Sequence, residues 1–339
     1  MLKFYTYLVL GAAGLFTFSC NLQDHVIPTT PDVYVAGYQY GENNNTARYW
    51  RNGQAVDLMS NNNGIVATSI AASGADVHVV GWDGDSTLTA HARYWKNGAL
   101  QSLSGQYAPS VLSKVLLSGG DVYVAGSGAD AGGYYALYWK NGVPVSLNNS
   151  YSGWARDMAI ANGDVYVTGT ASNGAGANTV AKYWKNGVDV DLTNGTEQTF
   201  PSGIAVSGTD VHVVGTTGGK YRTVAKYWKN GVETVLSPSS YHSNAEDVAV
   251  AGNDVYIVGN VGDSLNHYTA NIWKNGIATP LPGGVAATGI TIIGNDIYVS
   301  GAGLNGVTSI AKYWKNGAPI ELSDGTKNAT TTSIFVAAP

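Results

Sequence analysis

The sequence is poor in charged residues and cysteine. Only 12% of its 339 residues are Asp, Glu, Lys or Arg, about half the usual ~25%, which excludes a coiled coil or another long-helix protein. It has no run of Lys or Arg and a net charge of −5, so we predict neither nucleic-acid binding nor a polybasic membrane patch. Because it has a single cysteine, an internal disulfide is excluded and the fold must be stabilised by packing.

Glycine and aromatic residues are, by contrast, abundant. The chain contains 44 Gly, 22 Tyr and 9 Trp, and 44% of its residues are hydrophobic. This hydrophobic content excludes global disorder, and glycine without a G-X-Y period excludes collagen. An all-β chain with many tight turns fits the composition.

The first twenty residues have the layout of an export signal. One positive charge at Lys3 precedes an apolar stretch over residues 4–18, which is shorter than the about 20 residues that a membrane-spanning helix needs. The stretch ends at Ser19 and Cys20. It resembles a bacterial lipoprotein signal, although Thr17 and Phe18 depart from the usual residues before the cysteine. A plain signal peptide is the alternative.

The lipoprotein resemblance implies cleavage before Cys20 and lipidation of that residue. We therefore predict a signal peptide over residues 1–19 and a tether over residues 20–31, where Pro28 and Pro31 disfavour regular structure. The predicted location is the cell envelope, as an outer-membrane lipoprotein facing the periplasm or the cell surface. Contact with the membrane is expected through the lipid anchor only.

Residues 32–339 repeat one motif seven times. A strand signal of the form DVYVAG recurs every 42 to 46 residues, and a second signal of the form AKYWKNG follows each copy. The first signal begins at Asp32, Asp76, Asp121, Asp164, Asp210, Asp254 and Asp296. The tryptophans of the second are Trp50, Trp95, Trp139, Trp184, Trp228, Trp273 and Trp314.

Each repeat contains four short β signals. Asn-Gly stands between the third and fourth in every repeat, and this pair strongly favours a two-residue hairpin turn with positive φ at both positions. Four hairpin-linked strands in a unit of this length predict a propeller blade. No helical period is present, which argues against a helical solenoid.

The two ends of the repeat region complement each other. An extra first-strand signal around Ile334 lies at the C-terminus, and the first repeat at Asp32 lacks its own. We therefore predict an all-β, seven-bladed β-propeller, with four antiparallel strands per blade, closed by the C-terminal strand pairing with the N-terminal three. Closure removes exposed sheet edges. The chain resembles exported bacterial lipoproteins with seven-bladed propellers, a resemblance that is specific for fold and not for activity.

The repeated residues are interpreted as structural. The seven tryptophans of the third strands are expected in the core between blades. His78 and His212 occupy a position that holds Tyr in the other repeats, so we expect no metal or catalytic role for them. The Asp that opens each second strand is expected to bind nearby turn amides. No metal site and no cofactor is predicted.

Function is better sought where the repeats differ. The connections from second to third strand and from one blade to the next vary, and both should lie on one face of the disc, with tight turns on the other. Residues just before the first strands should surround the mouth of the central channel. The candidate ligand-binding residues are Lys114, Tyr151, Trp154, Arg156, Asp157, Tyr241, His242, Glu246, Asp247, His267 and Tyr268.

Three functions remain open. The first is a monomeric binding or scaffolding module, whose ligand is a glycan, since aromatic rings stack on sugars and polar groups bind hydroxyls. The second is a glycan-active hydrolase or lyase that uses the loop carboxylates as acid and base. The third is a platform for a protein partner in a cell-envelope complex. No known catalytic motif is present, so the sequence favours a binding protein over an enzyme.

Overall fold

In a computed structural model, the chain is built from β-strands and tight turns. The structure describes residues 30–42, 44–59, 64–84, 90–103, 108–147, 152–172, 179–219, 222–237, 242–263 and 267–338. These ranges contain no helix with the length and hydropathy that a membrane span requires. The predicted signal peptide and most of the predicted tether lie outside the described residues.

The strands form seven antiparallel sheets, which we call blades 1 to 7. Blade 1 contains β1 (Asp32–Gln39), β2 (Thr46–Arg51) and β3 (Gln54–Asp57). Blade 2 contains β4 (Val66–Ser73), β5 (Asp76–Gly84), β6 (Ala90–Lys96) and β7 (Ala99–Gln101). Blade 3 contains β8 (Ala108–Ser118), β9 (Asp121–Asp130), β10 (Gly133–Lys140) and β11 (Val143–Ser146). Blade 4 contains β12 (Gly153–Ala161), β13 (Asp164–Ser172), β14 (Thr179–Lys185) and β15 (Val188–Asp191).

The remaining blades follow the same pattern. Blade 5 contains β16 (Thr199–Ser207), β17 (Asp210–Gly219), β18 (Arg222–Lys229) and β19 (Val232–Val235). Blade 6 contains β20 (Ser243–Ala251), β21 (Asp254–Gly262), β22 (Tyr268–Lys274) and β23 (Ile277–Pro280). Blade 7 contains β24 (Gly284–Ile293), β25 (Asp296–Asn305), β26 (Thr308–Lys315) and β27 (Ala318–Glu321). The last strand, β28 (Ala329–Ala337), is the fourth strand of blade 1.

The ring is closed by β28, as predicted. This strand pairs antiparallel with β1, with Asp32 opposite Ala337 and Val35 opposite Ile334. The innermost strands β4, β8, β12, β16, β20, β24 and β28 each contact the next, and β28 contacts β4. They therefore surround a central channel, and the predicted seven-bladed propeller with four strands per blade is confirmed.

The hydrophobic core lies between the blades. The described residues form seven buried clusters, and each contains one of the repeated tryptophans together with residues of the neighbouring blade. All seven tryptophans are at most 1% exposed. The outermost strands are largely exposed, because each blade packs its inner strands against its neighbours and leaves its edge in solvent. The tryptophans are thus core residues, as expected.

One face of the disc carries short, nearly identical turns, and we call it the tight-turn face. The Asn of each Asn-Gly pair has φ near 50°, as at Asn186 (φ 51°), and the following Gly is also positive, as at Gly187 (φ 82°). These angles match the predicted hairpin turn. Each third strand therefore keeps the same register with its fourth strand, for example Trp184 opposite Asp189.

An Asp–Lys–Asn group repeats on this face. The Asp residues were expected to bind the turn amides directly, but they do so through the Asn side chain. In blade 4, the Asp164 carboxylate accepts a hydrogen bond from Asn186 Nδ2 at 2.7 Å and pairs with Lys185 Nζ at 2.8 Å. The main-chain amide of Val165 donates to Asn186 Oδ1 at 2.8 Å. The Asp thus binds the Asn side chain, and the Asn binds the backbone amide. The same group occurs in every blade, with Arg51 in place of Lys in blade 1.

Every innermost strand contains a β-bulge at the same position. The register with the second strand shifts by one residue there, for example between Ala155 and Asp157 in blade 4. The last Gly of the DVYVAG signal stands opposite the bulge. A Cβ on Gly169 would collide with the carbonyl oxygen of Trp154, and the other blades repeat this contact. The repeated glycine therefore permits the bulge, which turns one extra side chain towards the channel.

Candidate functional site

The bulge residues form a ring inside the channel, which we call the throat ring. At the shared bulge position, one residue per blade is left unpaired, and in each case it lines the channel cavity. β8 and β24 each have a second register shift. Five of the seven are hydroxyl residues and two are charged. The throat ring consists of Thr68, Ser113, Arg156, Ser202, Glu246, Thr288 and Thr332.

Four of the five hydroxyls donate a hydrogen bond to a main-chain carbonyl of the next blade. Thr68 Oγ1 donates to the Leu112 carbonyl of the next blade at 2.7 Å, and Ser202 Oγ donates to the Ala245 carbonyl at 2.6 Å. Ser113 and Thr332 make the equivalent bonds, while Thr288 shares a hydroxyl bond with a threonine of β28. Because a hydroxyl has one proton, each linking group offers only oxygen lone pairs to the channel. The ring is therefore a circle of hydrogen-bond acceptors.

Arg156 and Glu246 interrupt this circle. They occupy the bulge positions of blades 4 and 6, and neither makes a hydrogen bond or an ion pair with any other described residue. Burial raises the pKa of the Glu246 carboxyl to about 7, with the negative charge of Asp247 adding to the rise and Arg156 opposing it. Glu246 therefore changes its charge near neutral pH, and both groups are available to a ligand.

A second ring lies one residue further along the innermost strands, and we call it the lower ring. It contains the ion pair between Lys114 Nζ and Asp157 Oδ1, at 2.9 Å. Burial opposes the charge on Lys114, but the carboxylates of Asp157 and Asp247 outweigh this and raise its pKa. The ring consists of Ser69, Lys114, Asp157, Gly203, Asp247, Gly289 and Ser333.

The two aspartates of the lower ring are tied to the backbone. Asp157 Oδ2 accepts a hydrogen bond from the Ile204 amide of the next blade at 2.9 Å. Asp247 Oδ2 accepts one from the Ile290 amide at 3.0 Å, and its other oxygen accepts one from its own neighbour. Burial raises the pKa of Asp247 to about 6, opposed by Lys114. Both carboxylates thus join blades, which makes them poorly suited to act as free acid or base.

Glycine at position 203 brings these groups together. A Cβ on Gly203 would lie 2.9 Å from the Asp247 Cα and 3.1 Å from its Oδ1. The missing side chain lets Asp247 of blade 6 approach blade 5, within electrostatic reach of Lys114 and Asp157. The lower ring is therefore a packed charge cluster across four consecutive blades.

Above the throat ring, the channel widens towards the face with the variable connections. This widening is a cavity of about 630 Å³, and we call it the funnel. Two aromatic side chains, Trp82 and Phe200, line the funnel, and Phe200 is 45% exposed. Trp154 is not part of this lining and stacks on Tyr134, with ring centroids 5.3 Å apart and an interplanar angle of 17°. The funnel is lined by Thr68, Trp82, Val111, Ser113, Arg156, Phe200, Pro201, Ser202, Thr216, Thr223, Asn244, Glu246, Thr288 and Thr332.

The candidate residues are divided by the structure into three groups. Arg156 and Glu246 line the funnel, and Lys114, Asp157 and Asp247 lie below the throat ring. Trp154 stacks on Tyr134 and is not part of the funnel lining. His242, His267 and Tyr268 do not line it. His242 and Tyr268 lie beside Gly262 at the edge of blade 6, and exposed His267 pairs with Asp263 at 3.2 Å. Cys20, Tyr151 and Tyr241 lie outside the described residues.

The two strand histidines occupy structural positions. His78 Nδ1 lies 2.7 Å from the Tyr94 hydroxyl with the rings stacked, and His212 makes the same contact with Tyr227. Burial lowers the pKa of both histidines. Within the described ranges, no group of three or more His, Cys, Asp or Glu side chains is placed to hold a metal ion.

Several funnel residues were missed by sequence reasoning. Trp82, Phe200 and the five throat-ring hydroxyls were not among the candidates. The hydroxyls share one signal, since each stands two residues before the buried apolar residue of its innermost strand. This pattern identifies channel residues only once the bulge is known, because the bulge turns a position that would otherwise be an ordinary strand residue towards the channel.

Comparison with known proteins supports the fold and no closer relationship. No family model and no curated protein matches the chain. A β-propeller domain of the Trilobed protease from Pyrococcus furiosus has a TM-score of 0.53 at 8% identity, covering 88% of this chain and 95% of that one. TolB from Acinetobacter baumannii has a TM-score of 0.48 at 10% identity, covering 90% and 82%. A GH74 enzyme from Niastella koreensis has a TM-score of 0.43 at 14% identity, covering 78% and 45%.

Proposed function

We propose that the protein is an exported, lipid-anchored binding module whose funnel holds a glycan. The observation that carries this proposal is the circle of acceptors in the throat ring, formed because hydroxyls such as Thr68 and Ser202 donate their protons to the next blade. A ring of acceptors is complementary to a ligand rich in hydroxyl donors, and sugars have this property. Neutral apolar ligands would leave these oxygens unpaired, at a cost in binding free energy.

The aromatic lining of the funnel supports the same ligand class. Trp82 and Phe200 line the funnel, and a sugar ring can stack on an aromatic face such as that of Phe200, which is 45% exposed. The funnel volume of about 630 Å³ falls within the ~300–1,000 Å³ of small-ligand sites. An aromatic lining above a polar throat suits the end of a chain of one to a few sugars.

The position of the chain termini is consistent with a lipid anchor at Cys20. Strand β1 begins at Asp32 beside the end of β28, at the tight-turn face, whereas the funnel opens on the opposite face. A tether over residues 20–31 extends at most about 40 Å. Anchored through it, the propeller would turn the tight-turn face to the membrane and the funnel away from it.

The proposal is tested by measuring glycan binding to the purified full chain with a glycan array followed by calorimetry. Phe200→Ala should weaken binding by about tenfold or more, because it removes an exposed aromatic surface of the funnel. Tyr40→Ala is the matched control, since Tyr40 is also exposed, at 43%, but does not line the funnel. A chain that binds no glycan while capturing a defined envelope protein would replace this proposal with the interaction platform.

A glycan-active enzyme is the second candidate function, and Glu246 favours it. A carboxyl with a pKa raised to about 7 can donate a proton at neutral pH. A hydrolase would need a second free carboxylate, and Asp157 and Asp247 are both bound to backbone amides. Turnover of a polysaccharide panel that disappears in Glu246→Gln would establish the enzyme, while binding without turnover would exclude it for those substrates.

The anchor is tested separately by mass spectrometry of the mature N-terminus. We expect a diacylglycerol-modified Cys20 as the first residue, and Cys20→Ser should release the protein from the membrane fraction. An unmodified N-terminus downstream of Cys20 would contradict lipid anchoring without affecting the glycan proposal.

A further inference from the structure

Arg156 is the cation that the funnel offers to a ligand. Among the described residues that line the funnel it alone is positively charged. Its side chain is exposed to the channel and makes no hydrogen bond or ion pair with another described residue. Lys114 lies in the ring below and is committed to Asp157 at 2.9 Å. The guanidinium is therefore available, and its planar fork binds a carboxylate through two parallel hydrogen bonds.

The other residues of the throat ring disfavour an anion everywhere except beside Arg156. The linking hydroxyls present lone pairs, which repel a carboxylate wherever Arg156 is not the neighbour. Phe200 on β16, the innermost strand of the next blade, lines the same cavity as Arg156. A sugar ring stacked on Phe200 can thus present an acidic substituent to Arg156 while its hydroxyls meet the acceptors.

We infer that the funnel selects a glycan whose bound residue carries a carboxylate, and that Arg156 is the specificity-determining residue. This inference rests on the proposed function, because it identifies the class of sugar that the same site holds. A neutral sugar would satisfy the acceptors but leave Arg156 without an anion.

Glu246 makes the selection dependent on pH. It lies across the throat ring on β20, where the charged groups around it are Arg156 on β12, its neighbour Asp247, and the Lys114–Asp157 pair below. Above pH 7 the Glu246 carboxylate repels the carboxylate of a ligand. Below pH 7 it is protonated, as its raised pKa requires, and becomes a hydrogen-bond donor. Affinity for the acidic sugar should therefore rise as pH falls from about 8 to about 6.

The test compares trigalacturonate with galactotriose, its neutral counterpart, by calorimetry on the full chain. We expect wild type to prefer trigalacturonate by about tenfold or more at pH 6, a difference of at least about 1.4 kcal/mol. Arg156→Gln should abolish the preference, so that the two trisaccharides bind with affinities within about twofold of each other. Glu246→Gln should keep the preference and weaken its dependence on pH. Arg222→Gln is the matched control, because Arg222 is an exposed arginine outside the funnel and should keep both properties.

The outcomes separate this inference from the proposed function. Equal affinity of wild type for the two trisaccharides at pH 6 and pH 8 would overturn the acidic-sugar inference and leave glycan binding standing. If Arg156→Gln still prefers trigalacturonate, Arg156 is not the specificity-determining residue. If neither trisaccharide binds, and a glycan array identifies only neutral ligands, the inference is wrong and the proposed function holds. If the array identifies no ligand, both fail.

Discussion

The two faces of the disc use charged residues in opposite ways. On the tight-turn face, each blade pairs one Asp with one Lys or Arg at 2.6–2.8 Å and with the Asn of its turn. In the throat ring, two of seven positions carry charges, and Arg156 and Glu246 have no ion-pair partner among the described residues. Charges that recur in every blade are satisfied within the blade, whereas those that break the sevenfold pattern lie in the channel, either bound in the lower ring, as Lys114 and Asp157 are, or facing the funnel. Charged residues that differ between repeats are thus better candidates for function in this protein than charged residues that recur in every repeat.

The sharpest contrast lies between a repeated and a non-repeated tryptophan. Trp184→Ala should cost about 3–5 kcal/mol of unfolding free energy, because it empties a large volume in the core between blades 3 and 4. Trp154→Ala should cost about 1 kcal/mol or less, since that ring is only half-buried. Urea denaturation followed by circular dichroism measures both. Equal losses would contradict the division into core and half-buried tryptophans.

Removing Lys114 should have the next largest effect. Lys114→Ala leaves Asp157 and Asp247 in the channel without their cation, and we expect a loss of about 2–3 kcal/mol at pH 8. The loss should shrink at pH 5, because Asp247, whose pKa is raised to about 6, is then protonated and one negative charge disappears. Denaturation at the two pH values tests this. A loss that is the same at both would show that packing of the side chain, and not its charge, is what matters.

Glu246→Gln should stabilise the protein in alkaline solution. Burial raises the pKa of Glu246 from 4.5 to about 7, so the folded chain holds this proton more tightly than the unfolded chain. Stability therefore falls as pH rises from about 4.5 through about 7, and the glutamine variant avoids this cost. We expect a gain of about 1–3 kcal/mol at pH 8 and little difference at pH 4. Glu197→Gln, at an exposed site in a connection, is the control and should show neither effect.

The smallest effect is expected on the tight-turn face. Lys185→Ala breaks the ion pair with Asp164, but the Lys185 side chain is 48% exposed, and surface pairs of this kind contribute little to stability. Asn186 continues to bind the same carboxylate. The denaturation midpoint should stay within experimental error of wild type and be insensitive to salt. A clear loss would mean that the sevenfold ring of ion pairs acts as a network.

The fold could be predicted from the sequence because its signals are local and repeated. Asn-Gly requires positive φ wherever it stands, as at Asn186 and Gly187, and seven copies of a four-strand unit leave few arrangements open. The candidate site was predicted only in part. Arg156 and Glu246 attracted attention as departures from the repeat, while Ser113 and Ser202 looked like ordinary strand residues. Their role depends on hydrogen bonds to the next blade, about forty residues away.

The sequence by itself determined the number of blades, the four-strand unit, the closure through Ile334 and the tryptophan core, because each depends on residues that are close together or that repeat. Only the tertiary structure decided which side chains meet in the channel. The bulge opposite Gly169 and its equivalents turns one residue per blade inward, and the closed ring then brings seven distant positions to a common axis. The physical reason is that strand pairing is specified locally, whereas the convergence of Arg156 and Glu246 on one cavity depends on how whole blades pack against each other.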